Sequence, residues 1–147
     1  MTRRWAPLWA AVRPPFWPER ALPLGPRGER HAARMLRRSG YKIVAGGARS
    51  RFGEIDLIAV QGRTIVFVEV KTRRTTRAGD PADAVGASKQ QRIAASALAF
   101  LKSHGLLEHA ARFDVIAIVW PADARRPASA RHFENAFSPP GFGQFFS

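Results

Sequence analysis

The stretch GEIDLIAVQGRTIVFVEVKTRR, residues 53–74, constrains the fold more than any other part of the chain. Two apolar runs flank a Gln-Gly turn signal, which predicts a β-hairpin. Both runs are apolar on both faces, a pattern typical of strands that are buried on both faces of a sheet. Yet the hairpin also carries Glu54, Asp56, Glu69 and Lys71, and a buried charge needs a partner or a functional reason.

Other segments of the chain show helix and strand signals. Periodic apolar residues ending in glycine predict two helices, and apolar runs predict two further strands and a short edge strand. In chain order these segments are GERHAARMLRRSG (helix, from Gly28), YKIVAGGA (strand), ASKQQRIAASALAFLKSHG (helix), RFDVIAIVW (strand, 112–120) and RHFENAF (edge strand). Glu29 falls on the inward face of the first helix, which is unusual for an acid.

The length of 147 residues predicts one domain. Residues 1–27 are rich in Pro, Trp and Arg without a sustained period, and we predict a mostly disordered arm. Residues 28–137 then form the folded domain, and residues 138–147 are predicted as a flexible tail.

Charge is the strongest compositional signal, with 24 Lys+Arg against 11 Asp+Glu and a net charge of +13. A small domain this basic usually binds a polyanion, most often nucleic acid, although a high-GC genome also enriches Arg. The absence of cysteine fits a reducing compartment, and we expect a cytoplasmic protein. No apolar run is long enough to cross a bilayer, so we expect no membrane partner.

The geometry of the hairpin indicates which charges meet. Side chains alternate along a strand, so Glu54 and Asp56 share one face, and Glu69 and Lys71 share one face of the next strand. An even-length turn brings the two faces together. With residues 62–63 as the turn, Asp56 lies across from Glu69 and Glu54 across from Lys71. A turn one residue earlier makes these pairs diagonal on the same face.

Two interpretations of these charges are open. Cross-strand salt bridges on a solvated edge would contribute only ~0–1 kcal/mol each. However, apolar neighbours on both sides of Glu69 suggest a central strand, where two adjacent carboxylates repel unless they are neutralised. A divalent cation supplies that neutralisation. Oxygen ligands without Cys or His nearby favour Mg²⁺ or Mn²⁺ over Zn²⁺.

The spacing also suits phosphodiester hydrolysis. Such a site must hold a metal ion against the phosphate, activate a water molecule and offset the charge that develops in the transition state. Asp56 and Glu69 could grip the metal ion, and Lys71, on the same side as Glu69, could steer the water or stabilise the phosphate. Seven basic residues flank this predicted site in sequence and are candidate nucleic-acid contacts: Arg49, Arg51, Arg73, Arg74, Arg77, Lys89 and Arg92. His31, His104, His109 and His132 lack ligand spacing and are predicted as surface or helix-end residues.

Taken together, these motifs resemble the PD-(D/E)xK, restriction-endonuclease-like nucleases, and more closely the YraN family of bacterial proteins. The residues that carry the resemblance are GER at 28–30, RFGEIDLIA at 51–59, VFVEVKTR at 66–73, Lys89 and Arg92, RFDV at 112–115 and HFENAF at 132–137. YraN proteins are predicted endonucleases, distantly similar to archaeal Holliday-junction resolvases. One departure is Gly47, where the family usually has Asn.

The resemblance implies an α/β fold with a mixed β-sheet flanked by helices. It further implies Glu29, Asp56 and Glu69 as metal carboxylates, the Val70 carbonyl as a further ligand, and Lys71 as the catalytic lysine. The expected function is a Mg²⁺- or Mn²⁺-dependent endonuclease, with DNA favoured over RNA as the substrate and branched DNA as one open alternative. A homodimer is an open alternative to a monomer.

Two other functions are compatible with the same composition. The chain could be a nucleic-acid-binding module without catalysis, although such a module has little use for clustered acids that face a polyanion. It could also be a basic assembly protein that acts with a ribonucleoprotein. Metal-dependent cleavage would distinguish an enzyme from the binding module. Salt-insensitive binding to a protein partner would favour the assembly protein.

Overall fold

The computed structural model describes residues 22–76, 85–142 and 146, and in this part of the chain a helix precedes three strands, a second helix and two strands. The elements are α1 (Leu24–Arg38), β1 (Lys42–Ser50), β2 (Gly53–Gln61), β3 (Thr64–Arg73), α2 (Ala87–Ser103), β4 (Ala111–Val119) and β5 (Ser129–Phe133). None of the described helices is both long and apolar enough to cross a bilayer.

All five strands form one mixed sheet in the spatial order β1-β2-β3-β4-β5. The β1–β2, β2–β3 and β4–β5 pairs are antiparallel, whereas β3 and β4 are parallel because α2 intervenes between them. The predicted edge strand is present as β5, but it starts at Ser129 and ends at Phe133, so only the first three residues of RHFENAF are in the strand. This architecture confirms the expected α/β fold and is consistent with a restriction-endonuclease-like fold.

The register of the β2–β3 hairpin follows from a two-residue turn. Gln61 pairs with Thr64, so Gly62 and Arg63 form the turn, and the positive φ of 59° at Gly62 suits glycine. Leu57 pairs with Val68 at the far end of the ladder. Of the two turn positions that the sequence left open, the structure has the one at residues 62–63, which makes Asp56 the next residue opposite Glu69.

Helices cover both faces of the sheet. The α1 stripe of Ala32, Ala33 and Leu36 packs on the face that carries Leu57, Val66, Val68, Ile116 and Ile118. The α2 stripe of Ile93, Ala97 and Leu101 packs on the opposite face, against Ile58, Phe67 and Phe113. Because both faces of the sheet are buried, the residues of the central strands that point to either face are apolar. Phe142 and Phe146, in the segment predicted as a flexible tail, also pack on the α2 face.

Helix α1 begins at Leu24, earlier than the start at Gly28 that the sequence predicted. The sequence pattern placed Pro26 in an irregular arm, but a proline at this point is compatible with the helix. Pro26 lies in the first turn of the helix, where backbone N–H groups have no intrahelical acceptor, so the missing N–H of proline is tolerated there.

A buried polar network joins β4 to β5. The carboxylate of Asp114 is fully buried and accepts hydrogen bonds from Arg112 Nε (2.9 Å), His132 Nε2 (2.7 Å) and the backbone N–H of Asn135 (2.9 Å). Burial alone would raise the pKa of Asp114, but these hydrogen bonds outweigh it and hold the pKa below its usual value. His132 is therefore an internal partner of Asp114, and its prediction as a surface residue is wrong.

Candidate active site

The strands β2 and β3 part where the charged residues begin. Their backbone pairing ends at Leu57 and Val68. At the next position a side chain replaces the backbone as acceptor, because Asp56 Oδ2 accepts a hydrogen bond from the Val70 N–H (2.8 Å). Beyond this point β2 continues along β1 and β3 continues along β4. The acidic residues therefore line an opening between two strands that are each still held by an outer neighbour.

Asp56 and Glu69 meet in this opening, as the hairpin geometry predicted. Glu69 is 7% exposed, and its charge acts on the neighbouring carboxyl group of Asp56. Burial and the charge of Glu69 raise the pKa of Asp56 to about 7, against the lowering effect of the Val70 N–H. Asp56 can thus hold or release a proton near neutral pH.

Glu29 reaches the same opening from α1. Burial raises its pKa, and the charges of Glu54 and Glu69 raise it further, so the three acids influence one another. The approach depends on Gly28, because a Cβ at that position would lie 1.8 Å from Thr72 Oγ1 on β3. The GER motif therefore places an acid where a helix touches the end of β3.

Glu54 is a site residue to which sequence reasoning assigned no role. Its charge acts on Glu29, and its Oε2 lies 3.7 Å from Nε of Arg49. The sequence did contain a signal for it, because Glu54 and Asp56 are two residues apart on β2 and therefore share one face of the strand. Gly47 lies beside it with a φ of 63°, a conformation that Gly and Asn both tolerate, which explains how Gly can stand in the family's Asn position.

Two lysines complete the cluster. Burial and the nearby charge of Lys89 lower the pKa of Lys71, while Glu69 and Asp56 act in the opposite direction. Lys89, on the first turn of α2, forms an ion pair with Glu69 Oε1. Lys89 therefore neutralises an acid of the cluster in this structure, and its predicted role as a nucleic-acid contact stays a prediction.

The donor set is suited to a hard cation, although the present arrangement does not form a closed cage. In the described part of the chain, no group of three or more His, Cys, Asp or Glu side chains stands ready to hold a metal ion. The ammonium of Lys89 supplies positive charge to Glu69 instead. Carboxylate oxygens of this kind match the ligand preference of Mg²⁺ and Mn²⁺. The metal ion stays a prediction.

The predicted nucleic-acid contacts surround the opening unevenly. Arg51 is in the β1–β2 turn, where its guanidinium lies 4.7 Å from the ring centre of the exposed Phe52. Lys89 and Arg92 line a small cleft of about 130 Å³ beside Phe52 and Glu54. Of the remaining candidates, Arg49 is the last residue but one of β1, Arg73 ends β3, Arg74 follows it, and Arg77 lies outside the described residues.

A side-chain hydrogen bond tethers the β1–β2 turn to α2. Ser50 Oγ and Ser96 Oγ lie 3.0 Å apart, and Ser50 Oγ also accepts a hydrogen bond from the Phe52 N–H (3.1 Å). Ser96 is 3% exposed, so the turn is anchored to a buried position. The cleft beside Glu54 therefore has a fixed wall on the β1–β2 side.

Sequence comparison places the chain among proteins without an assigned activity. The profile of the uncharacterised protein family UPF0102 matches residues 28–118, which contain every predicted metal and catalytic residue. A UPF0102 protein of Rhodopirellula baltica is 50% identical over 125 residues, 84% of this chain and 75% of that protein. One of Geobacter sulfurreducens is 50% identical over 115 residues, 78% of this chain and 88% of that protein.

A third UPF0102 protein, from Symbiobacterium thermophilum, is 46% identical over 114 residues, 78% of this chain and 95% of that protein. The expected resemblance to the YraN family is confirmed by these matches. The chain, whose acid cluster lies wholly within the matched region, belongs to the uncharacterised protein family UPF0102.

Proposed function

We propose that the protein is a metal-dependent endonuclease that hydrolyses phosphodiester bonds in DNA. The observation that carries the proposal is the meeting of Asp56 and Glu69 where β2 and β3 part, with Glu29 and Lys71 alongside. Perturbed titratable groups that cluster in an opening of a basic protein are typical of a catalytic site for an anionic substrate.

Glu29, Asp56, Glu69 and the Val70 carbonyl are the groups that would hold Mg²⁺ or Mn²⁺. The ion, when bound, would lower the pKa of a coordinated water and offset negative charge on the phosphate. The hydrogen bond from the Val70 N–H fixes the orientation of the Asp56 carboxylate, which reduces the reorganisation that binding requires. Lys89 must release Glu69 for this carboxylate to bind a cation with both oxygens.

Lys71 is the group best suited to act on the reacting phosphate. It follows Glu69 by two residues on the same strand, and burial lowers its pKa while the acids nearby favour its charged form. An ammonium held in a partly dry site stabilises developing negative charge more strongly than one in bulk water. The surrounding arginines would hold the backbone on either side of the scissile bond.

A non-catalytic nucleic-acid-binding module is the second candidate. The ion pair between Lys89 and Glu69 favours it, because the acids are already neutralised without a metal ion. Against it stands the energetic cost of collecting Glu29, Asp56 and Glu69 next to one another in a partly buried site. Such repulsion serves no purpose in a protein that only binds a polyanion.

Cleavage of a panel of labelled DNAs tests the proposal. Linear, nicked, flapped and four-way-junction substrates are incubated with Mg²⁺ or Mn²⁺, and we expect the wild type to cut at least one of them. Asp56→Asn and Glu69→Gln should abolish cleavage while DNA affinity is unchanged or higher, because each removes negative charge that faces phosphate. Calorimetry should detect divalent binding in the wild type and its loss in both variants.

Glu108→Gln is the matched control, since it makes the same chemical change at an exposed residue between α2 and β4. This variant should cleave like the wild type. Full activity in Asp56→Asn would contradict the assigned site. DNA binding without cleavage of any substrate in either metal would favour the binding module.

A further inference from the structure

A second basic site lies on the α1 side of the sheet, away from the acid cluster. A cavity of about 640 Å³ opens between α1 and the loop that joins β4 to β5. Four of its lining residues are arginines, Arg34 and Arg38 from the helix and Arg125 and Arg126 from the loop, and none of the described residues that line it is acidic. Its volume is in the range of ordinary ligand sites.

The cavity is separate from the proposed active site. Successive residues of a helix are about 100° apart, so Arg34 and Arg38 point about 140° and 180° away from Glu29 around the axis of α1. Glu29 faces the opening between β2 and β3, and the arginines face the β4–β5 loop. A helix of about 10 Å diameter therefore stands between the two sites.

Hydrogen bonds and ring packing hold the aromatic wall of the cavity in place. Trp120 is 2% exposed, its Nε1 donates to the Ala124 carbonyl (3.0 Å), and its backbone N–H donates to the Arg73 carbonyl (2.7 Å). The His31 ring packs edge-on against the Trp120 ring at 5.8 Å. A fixed aromatic wall with guanidinium groups at its rim is suited to a bound anion rather than to bulk solvent.

The requirements of the fold do not explain this concentration of charge. Basic residues in the last turn of a helix favour its dipole, which accounts for Arg38. No helix end accounts for Arg125 and Arg126, which lie in an exposed loop and bring two more positive charges to the same cavity. Like charges held together repel, and an anionic ligand removes that repulsion.

We propose that this cavity is a phosphate-binding site that holds the backbone of a nucleic-acid segment other than the one at the acid cluster. The inference rests on the proposed function for the identity of the polyanion, but it does not depend on cleavage. It assigns the protein two contacts with nucleic acid on opposite sides of α1. Such an arrangement suits a substrate whose arms diverge, and a four-way junction is the simplest probe.

Salt-dependent binding in EDTA tests the site without any metal-dependent step. Anisotropy of a labelled four-way junction is measured between about 50 and 200 mM salt, where log K falls by about 0.9 per contacted phosphate for each log unit of salt. For Arg125→Ala/Arg126→Ala we expect a slope that is shallower by about 1.8, two lost contacts, and weaker binding at every salt concentration.

The matched control is Arg63→Ala/Lys102→Ala, which removes the same charge from two exposed residues away from the cavity. The control should keep the wild-type slope, and both double variants should unfold at the wild-type temperature. Equal slopes for the two double variants would overturn the proposal, because charge rather than place would then govern binding. Arg38→Ala, from the helix side, should reproduce about half of the loop effect, near 0.9.

Inorganic tripolyphosphate distinguishes free phosphate from nucleic acid as the ligand. The indole N–H resonance of Trp120 should shift on addition of the junction in the wild type and not in Arg125→Ala/Arg126→Ala. A shift with tripolyphosphate but not with the junction would overturn the assignment to nucleic acid. These measurements are made in EDTA, so they report binding without cleavage. If the junction shifts the Trp120 resonance but the protein cuts no DNA in the metal-dependent assay, the proposed endonuclease is overturned and the binding site is not.

Discussion

Replacing Gly28 with Ala should expose how closely α1 packs on β3. An added Cβ would lie 1.8 Å from Thr72 Oγ1, 2.9 Å from Thr72 Cβ and 3.2 Å from Thr72 Cγ2. Rotation about χ1 moves the hydroxyl and methyl groups of Thr72 but leaves its Cβ in place. The contact at 2.9 Å therefore remains in every rotamer, and the helix or the strand must move.

The size of the effect is a difference of two terms. Overpacking of a well-packed site costs about 1–3 kcal/mol, and the fixed Cβ of Thr72 puts this site at about 2–3 kcal/mol. Ala gains about 1 kcal/mol over Gly in a helix interior. Gly28→Ala should thus lower the free energy of unfolding by about 1–2 kcal/mol, or the melting temperature by roughly 2–8 °C for a chain of this size.

Urea unfolding of four variants provides the assay: Gly28→Ala, Gly25→Ala, Thr72→Gly, and Thr72→Gly combined with Gly28→Ala. Gly25→Ala is the control, because it adds a Cβ in the same helix with nothing within 4 Å, and it should leave stability unchanged or higher. Thr72→Gly in the Gly28→Ala background should show a favourable coupling energy of about 1–2 kcal/mol in a double-mutant cycle. If Gly28→Ala stabilises the protein as Gly25→Ala does, close packing does not explain this glycine, and Glu29 is positioned by something else.

Three further predictions concern charged groups. Lys71→Ala should lower the single-turnover cleavage rate at saturating enzyme by at least about a hundredfold, whereas Arg74→Ala should lower it little. Of these two residues, Lys71 is the one that lies among the acids. Asp114→Asn should lower the free energy of unfolding by about 3 kcal/mol, since Arg112 loses its buried counter-charge. Because the pKa of Asp114 is depressed in the folded protein, its contribution to the free energy of unfolding should be present above about pH 4 and lost as pH falls further. In metal-free protein, the raised pKa of Asp56, about 7, has the opposite sign: stability should decrease as pH rises from about 4 to about 7, and Asp56→Asn should remove that slope.

Each of these predictions can be contradicted separately. Equal saturated rates for Lys71→Ala, Arg74→Ala and the wild type would exclude Lys71 from the chemical step. Wild-type stability of Asp114→Asn at neutral pH would show that hydrogen bonding, and not charge, holds β5 on the sheet. An unchanged pH slope in Asp56→Asn would show that the Asp56 carboxyl group is not the source of the slope.

Local patterns in the sequence were enough to predict the centre of the fold. The alternation of apolar residues identified the strands, and strands that are apolar on both faces implied helices on both faces of the sheet. The even-length turn at Gly62-Arg63 set the register, and the register alone brought Asp56 to Glu69. These features depend on residues that are close in sequence, where turn length and period 2 leave few alternatives.

Tertiary packing was needed for everything that joins distant segments. The start of α1 at Leu24 and the partner of His132 could not be read from spacing, because Pro26 resembles an arm residue and Asp114 lies on another strand. Glu54 enters the acid cluster only because α1 brings Glu29 beside it.

The ion pair of Lys89 with Glu69 and the cavity shared by Arg34 and Arg126 likewise connect parts of the chain that no periodicity relates. Period and turn length specify neighbours within one element or hairpin. Which helix residue meets which strand residue depends on how complementary surfaces pack once the whole core forms.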